Sequence, residues 1–248
     1  MIRKRVIKDG LLTVISRVLP IFILQYMIHP FLGESLSQGE YGNLITAMAL
    51  INLSGLTLGN VLNNSRLILQ KKYLNERLEG DFNVILIILL LINIVVVTSL
   101  LYIYLDGLEL INYIILLVIS IFILVIGYLT VEFRIDLNYN KIAIDGLFLS
   151  TGYILGYFIY LWTGYWEMIY LIGLLTSAIY LLINTRILKE PIIITSLFGS
   201  TSNQTSALLI SGLLVSAGTY LDKILLYPLL GGEAVATYYV ASLLGKSI

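Results

Sequence analysis

Residues 82–105 read FNVILIILLLINIVVVTSLLYIYL, a continuous apolar run that contains no charged side chain. An α-helix needs about 20 such residues to cross the roughly 30 Å hydrocarbon core of a bilayer, and this run is long enough. A transmembrane β-strand would instead alternate apolar and polar residues over about ten positions. The stretch therefore predicts a transmembrane helix, in which every backbone polar group is satisfied internally.

The composition of the whole chain extends this prediction to the other segments. Hydrophobic residues make up 58% of the 248 residues and charged residues only 12%, against about 25% charged in a soluble domain. The mean hydropathy is +0.94. The chain has no cysteine, which excludes disulfides, metal–thiolate sites and thiol nucleophiles. We therefore predict an all-α polytopic membrane protein with no bound metal, no cofactor and no nucleic-acid partner.

Apolar runs separated by short polar segments give the order of the spans. An eighth helix is predicted to begin near Glu233. The seven preceding spans are predicted at residues 11–32, 42–69, 82–105, 111–133, 146–162, 168–188 and 206–230.

The basic residues predict the orientation, because lysine and arginine concentrate in cytoplasmic loops. With a cytoplasmic N-terminus, the outward loops contain no lysine or arginine; these loops are residues 33–41, 106–110, 163–167 and 231–233. All 15 basic residues except Arg17 and Lys223 then fall in inner segments. Both exceptions lie within predicted spans, where a charge costs about 2.5–3.5 kcal/mol on insertion scales and by default marks a functional site.

Polar residues on the helix faces indicate where a pathway could run, because lipid-facing positions tolerate few polar side chains. In span two they recur at helical spacing and stack on one side: Asn52, Gly55, Gly59, Asn63, Arg66 and Gln70. Span seven repeats the pattern with Thr205, Gly212, Ser216, Thr219 and Lys223. In span one, Arg17 and Gln25 share a broader face, with a kink predicted at Pro20. We predict that a substrate-binding cavity is lined by Arg17, Gln25, Asn52, Asn63, Arg66, Ser216, Thr219 and Lys223.

Several of these residues also have a purely structural interpretation. Close helix packing explains the small-residue pairs Gly55 with Gly59 and Gly152 with Gly156. Asn52 and Asn63 could hydrogen-bond between helices, and Arg66 could extend to the inner interface. His29, next to Pro30, is expected to be structural. Spans three and four are almost wholly aliphatic and are expected to face lipid or to pack by shape alone.

Asp222 and Lys223 are adjacent opposite charges in the run GTYLDKILLY, residues 218–227. Neighbouring residues point about 100° apart on a helix, so the two side chains are not expected to face each other. Lys223 shares the polar stripe of span seven and is predicted to contact an anion or a sugar. Asp222 is predicted to be a structural charge partner that fixes the helix between two bundles, for example through Arg17.

Two short motifs resemble a known family. Residues 220–241 contain the pattern L-D-[KR]-I-hydrophobic, then L-G, a short turn, V-x-x-Y and a small residue; its positions are Leu221, Asp222, Lys223, Ile224, Leu230, Gly231, Val235, Tyr238 and Ala241. Residues 39–42, GEYG, match an E-Y-G turn between spans one and two. The chain thereby resembles bacterial polysaccharide flippases, the O-antigen and capsule transporters of the multidrug/oligosaccharidyl-lipid/polysaccharide (MOP) exporter superfamily.

The resemblance implies two six-helix bundles around a central cavity that works by alternating access. It implies translocation of an undecaprenyl-pyrophosphate-linked oligosaccharide across the bacterial inner membrane, without enzymatic activity. The bilayer, a coupling ion and polysaccharide assembly proteins are the implied partners, and Arg17 would match a basic first-helix residue of related flippases. Residues 1–190 would form the N-terminal bundle, 191–205 a cytoplasmic linker and 206–248 the start of the second bundle. Family members are longer, so the chain is expected to be a truncated product or a fragment.

Three other functions remain open. A MATE-type drug or cation antiporter of the same superfamily would be expected to carry acidic residues in its N-terminal bundle for sodium or proton coupling. Spans one to three contain none beyond Asp9 at the inner edge, and Glu132 in span four is near the cytoplasmic end. A membrane-embedded glycosyltransferase or polymerase would need a catalytic carboxylate or arginine set on a sizeable loop, and the outer loops are short and lack arginine. A structural membrane subunit would leave the intramembrane charges unexplained.

The predicted orientation can be tested by cysteine labelling, because the chain has no native cysteine. Single cysteines introduced as Lys72→Cys and Arg134→Cys are expected to react only with reagent that reaches the cytoplasm, since both positions lie in predicted inner segments. Labelling of intact cells with a membrane-impermeant maleimide is the measurement. Modification from outside at either position would contradict the topology.

Overall fold

A computed structural model describes the backbone of residues 2–105 and 107–246 and the side chains of residues 10–105 and 107–243. Helix accounts for 88% of the structure, and the described residues contain no strand, so the predicted all-α fold class is confirmed. The helices are α1 (Ile2–Phe22), α2 (His29–Ser35), α3 (Gln38–Ile51), α4 (Thr57–Glu76), α5 (Asp81–Tyr104), α6 (Leu110–Leu129), α7 (Val131–Ile135), α8 (Tyr139–Thr163), α9 (Glu167–Asn184) and α10 (Phe198–Lys246). π-Helical turns at Ile23–Ile28 and Asn52–Leu56 join α1 to α2 and α3 to α4, and a 3₁₀ turn covers Ile187–Lys189.

Within the described residues, seven helical segments are long and apolar enough to cross a membrane, consistent with a multi-pass membrane protein. They follow the order of the seven complete predicted spans. Their bounds are Gly10–Ser35, Gln38–Glu76, Asp81–Tyr104, Leu110–Ile135, Tyr139–Thr163, Glu167–Asn184 and Phe198–Leu243.

The last helical segment turns back on itself at Gly231. Gly231 has φ 81° and ψ 175°, a backbone conformation that favours glycine because it has no Cβ. Tyr238 Oη donates a hydrogen bond of 2.9 Å to Asp222 Oδ2, whereas residues that far apart in a straight helix would be separated by about 24 Å. Helix α10 is therefore a hairpin of two helical arms, and its turn lies between the predicted seventh and eighth spans.

Helix α10 begins at Phe198, inside the segment predicted as a linker at residues 191–205. The carboxylate of Asp81, at the start of α5, accepts hydrogen bonds from the backbone N of Thr195 at 2.7 Å and from its Oγ1 at 2.5 Å. The same Oγ1 accepts a hydrogen bond from the backbone N of Leu197 at 3.1 Å. This support for the start of α10 comes from a distant helix, so the local sequence did not indicate it.

Glycines let several helix pairs approach closely. A Cβ atom at Gly59 of α4 would lie 2.6 Å from the carbonyl oxygen of Leu124 on α6. One at Gly156 of α8 would lie 2.7 Å from the carbonyl oxygen of Met168 on α9. Both distances are shorter than a van der Waals contact, so neither helix–helix contact has room for a methyl group. The small-residue pairs of α4 and α8 therefore lie at helix–helix contacts, as the packing interpretation predicted.

Helices α5 and α6 do not pack by shape alone, so that part of the expectation from their aliphatic sequences is wrong, although only 33% of the apolar stretch of α5 is buried, as expected of a helix that faces lipid. Asn93 of α5 is fully buried; its Oδ1 accepts a hydrogen bond from Ser54 Oγ and its Nδ2 donates one to Ser120 Oγ on α6, each 2.7 Å long. Ser54 belongs to the π-helical turn Asn52–Leu56. One polar residue at the centre of each apolar helix gives no periodic pattern, yet the three side chains join three helices.

Adding a methyl group at Gly59 tests the α4–α6 contact. We expect Gly59→Ala to destabilise the protein by about 1–3 kcal/mol, because the backbones must separate. Gly218→Ala on α10 is the matched control, since nothing lies within 4 Å of its added Cβ and alanine favours a helix by about 1 kcal/mol over glycine. Thermal unfolding in detergent, followed by helix content, is the measurement. Equal midpoints for the two variants would contradict the close contact.

Candidate functional site

Two arginines form the candidate site, at the end of the bundle predicted to face the cytoplasm. Arg17 lies on α1 and Arg134 on the short α7, and both residues are exposed. The charge of Arg17 acts on the guanidinium of Arg134, so the two groups are within electrostatic range of each other. Neither arginine forms an ion pair with a side chain that the structure describes. The site is therefore a concentration of positive charge that no direct ion pair neutralises.

Asparagine amides surround Arg134. Its Nη1 donates to Asn63 Oδ1 and, at 3.2 Å, to Asn64 Oδ1. Asn60 lies one turn before Asn64 on α4, and both asparagines are exposed. We call the exposed residues Arg17, Asn60, Asn64 and Arg134 the cationic patch. It combines charged and neutral hydrogen-bonding groups, which suits a ligand that is both anionic and rich in hydroxyls.

Asp145 of α8 places one negative charge beside the cationic patch. It is 9% exposed, its Oδ1 accepts a hydrogen bond of 2.6 Å from Ser177 Oγ, and Arg17 acts electrostatically on it. The neighbouring Gly146 packs on the backbone of Ser16, where an added Cβ would lie 2.6 Å from the carbonyl oxygen. The sequence prediction missed Asp145 because it started the fifth span at Gly146, which left the carboxylate in a loop.

Asn63 lies beneath the patch and hydrogen-bonds between helices. Its side chain is 2% exposed, and Nδ2 donates to the Gly127 carbonyl oxygen at 2.8 Å and to Thr130 Oγ1 at 3.1 Å. Its Oδ1 accepts from Arg134. These contacts fit the interhelical alternative and hold Arg134 against α4.

Arg66 is largely buried, with a side chain only 14% exposed, and is paired within the protein. Both of its terminal nitrogens pair with the carboxylate of Glu190, with Nη1 2.9 Å from Oε2, and Nη1 also donates to Tyr128 Oη at 2.7 Å. The guanidinium lies 5.2 Å above the Phe82 ring. The adjoining cavity of about 690 Å³ is lined by Gln70 and by residues of both charges, among them Arg77, Glu132, Arg186 and Glu190. The charge of Arg66 is thus compensated.

The polar stripe of span seven faces α4 for part of its length. Ser216 Oγ lies 2.5 Å from Thr57 Oγ1, and Thr205 Oγ1 lies 2.7 Å from Ser65 Oγ. Thr219 is exposed, and its hydroxyl donates to the backbone of its own helix at 3.1 Å. Ser216 therefore contributes to helix packing, whereas Thr219 lies on an exposed surface.

Lys223 and Asp222 pair with each other, so the expectation that they do not face each other is wrong. Lys223 Nζ lies 2.9 and 3.0 Å from the two carboxylate oxygens of Asp222, and the residue is 8% exposed. The angle of about 100° separates the Cα–Cβ bonds of neighbouring residues on a helix, and the flexible four-carbon side chain of lysine is long enough to span that separation. Tyr238 completes the cluster, because its hydroxyl bonds Asp222 and its ring lies 5.9 Å from Lys223 Nζ. Asp222 thus has Lys223 and Tyr238 as partners, and not Arg17.

Like Arg17, two further predicted residues have no side-chain hydrogen bond in the described part of the chain. Gln25 and Asn52 are half-buried and belong to the two π-helical turns. The hydrogen-bond register changes at Ile23–Ile28, just after Pro20, where a distortion was predicted.

His29 occupies a buried aromatic cluster at the opposite end of the bundle. Its Nδ1 lies 3.1 Å from Tyr41 Oη and its Nε2 lies 3.0 Å from Tyr170 Oη, while the ring packs 5.2 Å from that of Tyr239. These contacts join α2, α3, α9 and the second arm of α10, and they fit the structural interpretation of His29. Among the described residues no group of three or more histidine, aspartate or glutamate side chains could hold a metal ion.

Removing the partner of Arg66 tests its role as a structural charge. We expect Glu190→Gln to destabilise the protein by about 3 kcal/mol, because the side chain of Arg66 is only 14% exposed and would lose its counter-charge. The double variant Arg66→Met with Glu190→Gln should recover much of that loss. Thermal unfolding in detergent measures both, with Glu76→Gln on the exposed end of α4 as control. A stable Glu190→Gln variant would show that the ion pair contributes little.

No protein-family model matches the chain, and no curated protein and no solved structure matches it. The likeness to polysaccharide flippases therefore stays a prediction from the two motifs quoted above. An all-helical protein with seven helices that could cross a membrane is what the structure itself establishes.

Proposed function

We propose that this chain takes part in moving a lipid-linked anionic oligosaccharide across a bacterial inner membrane, by alternating access and with no catalysis. The observation that carries the proposal is the cationic patch, whose two arginines form no ion pair with a described side chain of this strongly apolar helical protein. The flippase-like motifs at residues 39–42 and 220–241 point in the same direction.

The chemistry of the patch suits a diphosphate. A guanidinium presents a planar fork of donors that matches phosphate oxygens, and charge-assisted bonds of this kind are about twice as strong as neutral ones. Arg17 and Arg134 repel each other, and an anion bound between them would relieve that repulsion. The exposed amides of Asn60 and Asn64 can bind sugar hydroxyls, while a lipid tail needs only the surrounding bilayer.

A cation antiporter of the same superfamily is a second candidate, and Asp145 is the observation that favours it. A buried carboxylate within a membrane helix is a default candidate for ion coupling. Such a protein would also use alternating access, so its cargo and not its architecture separates the two functions.

Restoration of surface polysaccharide tests the first proposal. The complete reading frame that contains this chain, expressed in a strain lacking its polysaccharide flippase, should restore the polysaccharide. Arg17→Ala and Arg134→Ala should each reduce restoration about tenfold or more, because each removes a charge-assisted contact of about 1.5–3 kcal/mol. Gel analysis of extracted polysaccharide gives the readout, at matched protein levels.

The matched control is Lys71→Ala, which removes an exposed basic residue of α4 outside the patch. It should leave restoration unchanged. Full activity of both arginine variants would overturn the anion-binding role of the patch. Lost drug resistance in Asp145→Asn, without any effect on polysaccharide, would favour the antiporter.

A further inference from the structure

A second cavity lies at the other end of the bundle, where the loops predicted to face outward meet. It has a volume of about 290 Å³ and lies among α3, α6 and the start of α9. Its polar lining includes three carboxylates and two amides, from Glu40, Glu109, Glu167, Asn43 and Asn112. No lysine or arginine occurs among the described lining residues. The cavity is therefore polar and negatively charged.

Glu167 is the feature that requires an occupant. It is 0% exposed, and neither of its carboxylate oxygens accepts a hydrogen bond from another described residue. The side-chain amide oxygen (Oδ1) of Asn112, a residue that lines the same cavity, is also buried and has no hydrogen-bond partner among the described residues. Buried polar oxygens are nearly always satisfied, and an unpaired buried carboxylate is especially unfavourable. These three buried oxygen acceptors belong to residues that line the cavity, and no described side chain donates a hydrogen bond to them.

The surroundings of Glu167 increase the need for positive charge. Glu109 acts electrostatically on Glu167 with the same sign. The partial positive charge at the start of α9 favours the carboxylate, but that effect is smaller than the cost of burying an unpaired charge. The other carboxylate of the cavity, Glu40, is occupied by Ser37, whose backbone N and Oγ both donate to Oε2.

Physical chemistry narrows the occupant to a hard cation with oxygen ligands. The site has one fully buried carboxylate, and among the described residues no group of three or more acids or histidines could hold a metal ion, which argues against the several carboxylates of a typical calcium site. A monovalent cation neutralises Glu167 alone. The volume also exceeds that of several waters, at about 30 Å³ each, so a partly hydrated ion fits.

We propose that this cavity binds Na⁺, with the carboxylate of Glu167 and the side-chain amide oxygen (Oδ1) of Asn112 as its protein ligands. The acidic residues at this end of the bundle, among them Glu40, Glu109 and Glu233, would raise the local concentration of cations. The proposal does not depend on the identity of the transported molecule, since the ion binds to the protein itself.

Fluorescence of Trp166 gives a direct readout, because this residue lines the cavity and the chain has only two tryptophans. The other one, Trp162, is 88% exposed and can be removed as Trp162→Phe. NaCl is titrated into the purified full chain in detergent, with choline chloride holding the ionic strength constant. We expect a saturable change in emission and a rise in the unfolding midpoint, because an ion that binds only the folded state stabilises it.

Variants separate binding from general salt effects. Glu167→Gln keeps the shape of the side chain and removes its charge, so it should weaken Na⁺ binding at least about tenfold while the protein stays folded. Asn112→Ala should weaken binding by a smaller factor. Glu34→Gln, at an exposed position outside the cavity, should bind Na⁺ as the parent protein does.

A response to Na⁺ that disappears in Glu167→Gln would support the site, and if that variant does not fold, weaker Na⁺ binding in Asn112→Ala would serve instead. Equal responses to Na⁺ and choline, or an unchanged response in both variants, would overturn it. A signal that follows pH but not Na⁺ would also overturn it, in favour of a protonated Glu167. Because the assay contains no oligosaccharide, failure of the flippase proposal would leave its result unaffected.

Discussion

Hydrogen bonding between helices is the constraint on which the rest of this structure depends. The helices are so apolar that burial alone does not select one packing over another, and in lipid there is no strong hydrophobic force between them. Polar atoms at helix contacts do make a selection, because each must find a partner away from water. Asn93 joins three helices through Ser54 and Ser120, and Asn63 joins α4 to α6. Glycines let these partners come within reach.

The same constraint separates structural charges from candidate functional ones. Arg66 is neutralised by Glu190, and Lys223 by Asp222, so neither pair has charge left for a ligand. The exposed arginines Arg17 and Arg134 have no such partner among the described side chains. Because these two arginines lack a direct ion pair, the cationic patch is a better candidate for binding an anion than the ion-paired Arg66 or Lys223.

The hairpin of α10 gives a physical explanation for the motif at residues 220–241. The charged doublet and the later tyrosine are far apart along the chain, with the left-handed Gly231 between them. In the folded protein Asp222, Lys223 and Tyr238 form one cluster that ties the two arms together. The spacing of the motif is therefore consistent with a turn whose two arms must be joined, and this explanation is independent of the function of the protein.

The sequence by itself determined the all-α class, the order of the seven spanning segments and the turn near Gly231, because apolar length and glycine are local signals. It also identified several residues that make polar contacts, namely Asn63, Arg66, Ser216, Asp222 and Lys223. Only the tertiary structure decided their partners: Arg66 with Glu190, Ser216 with Thr57, and Lys223 with its own neighbour. The buried Asn93, Asp145 and Glu167 escaped sequence analysis, since one polar residue at the centre or edge of an apolar run has no periodicity. Partner choice depends on which helices lie side by side, and that is a property of the packed bundle.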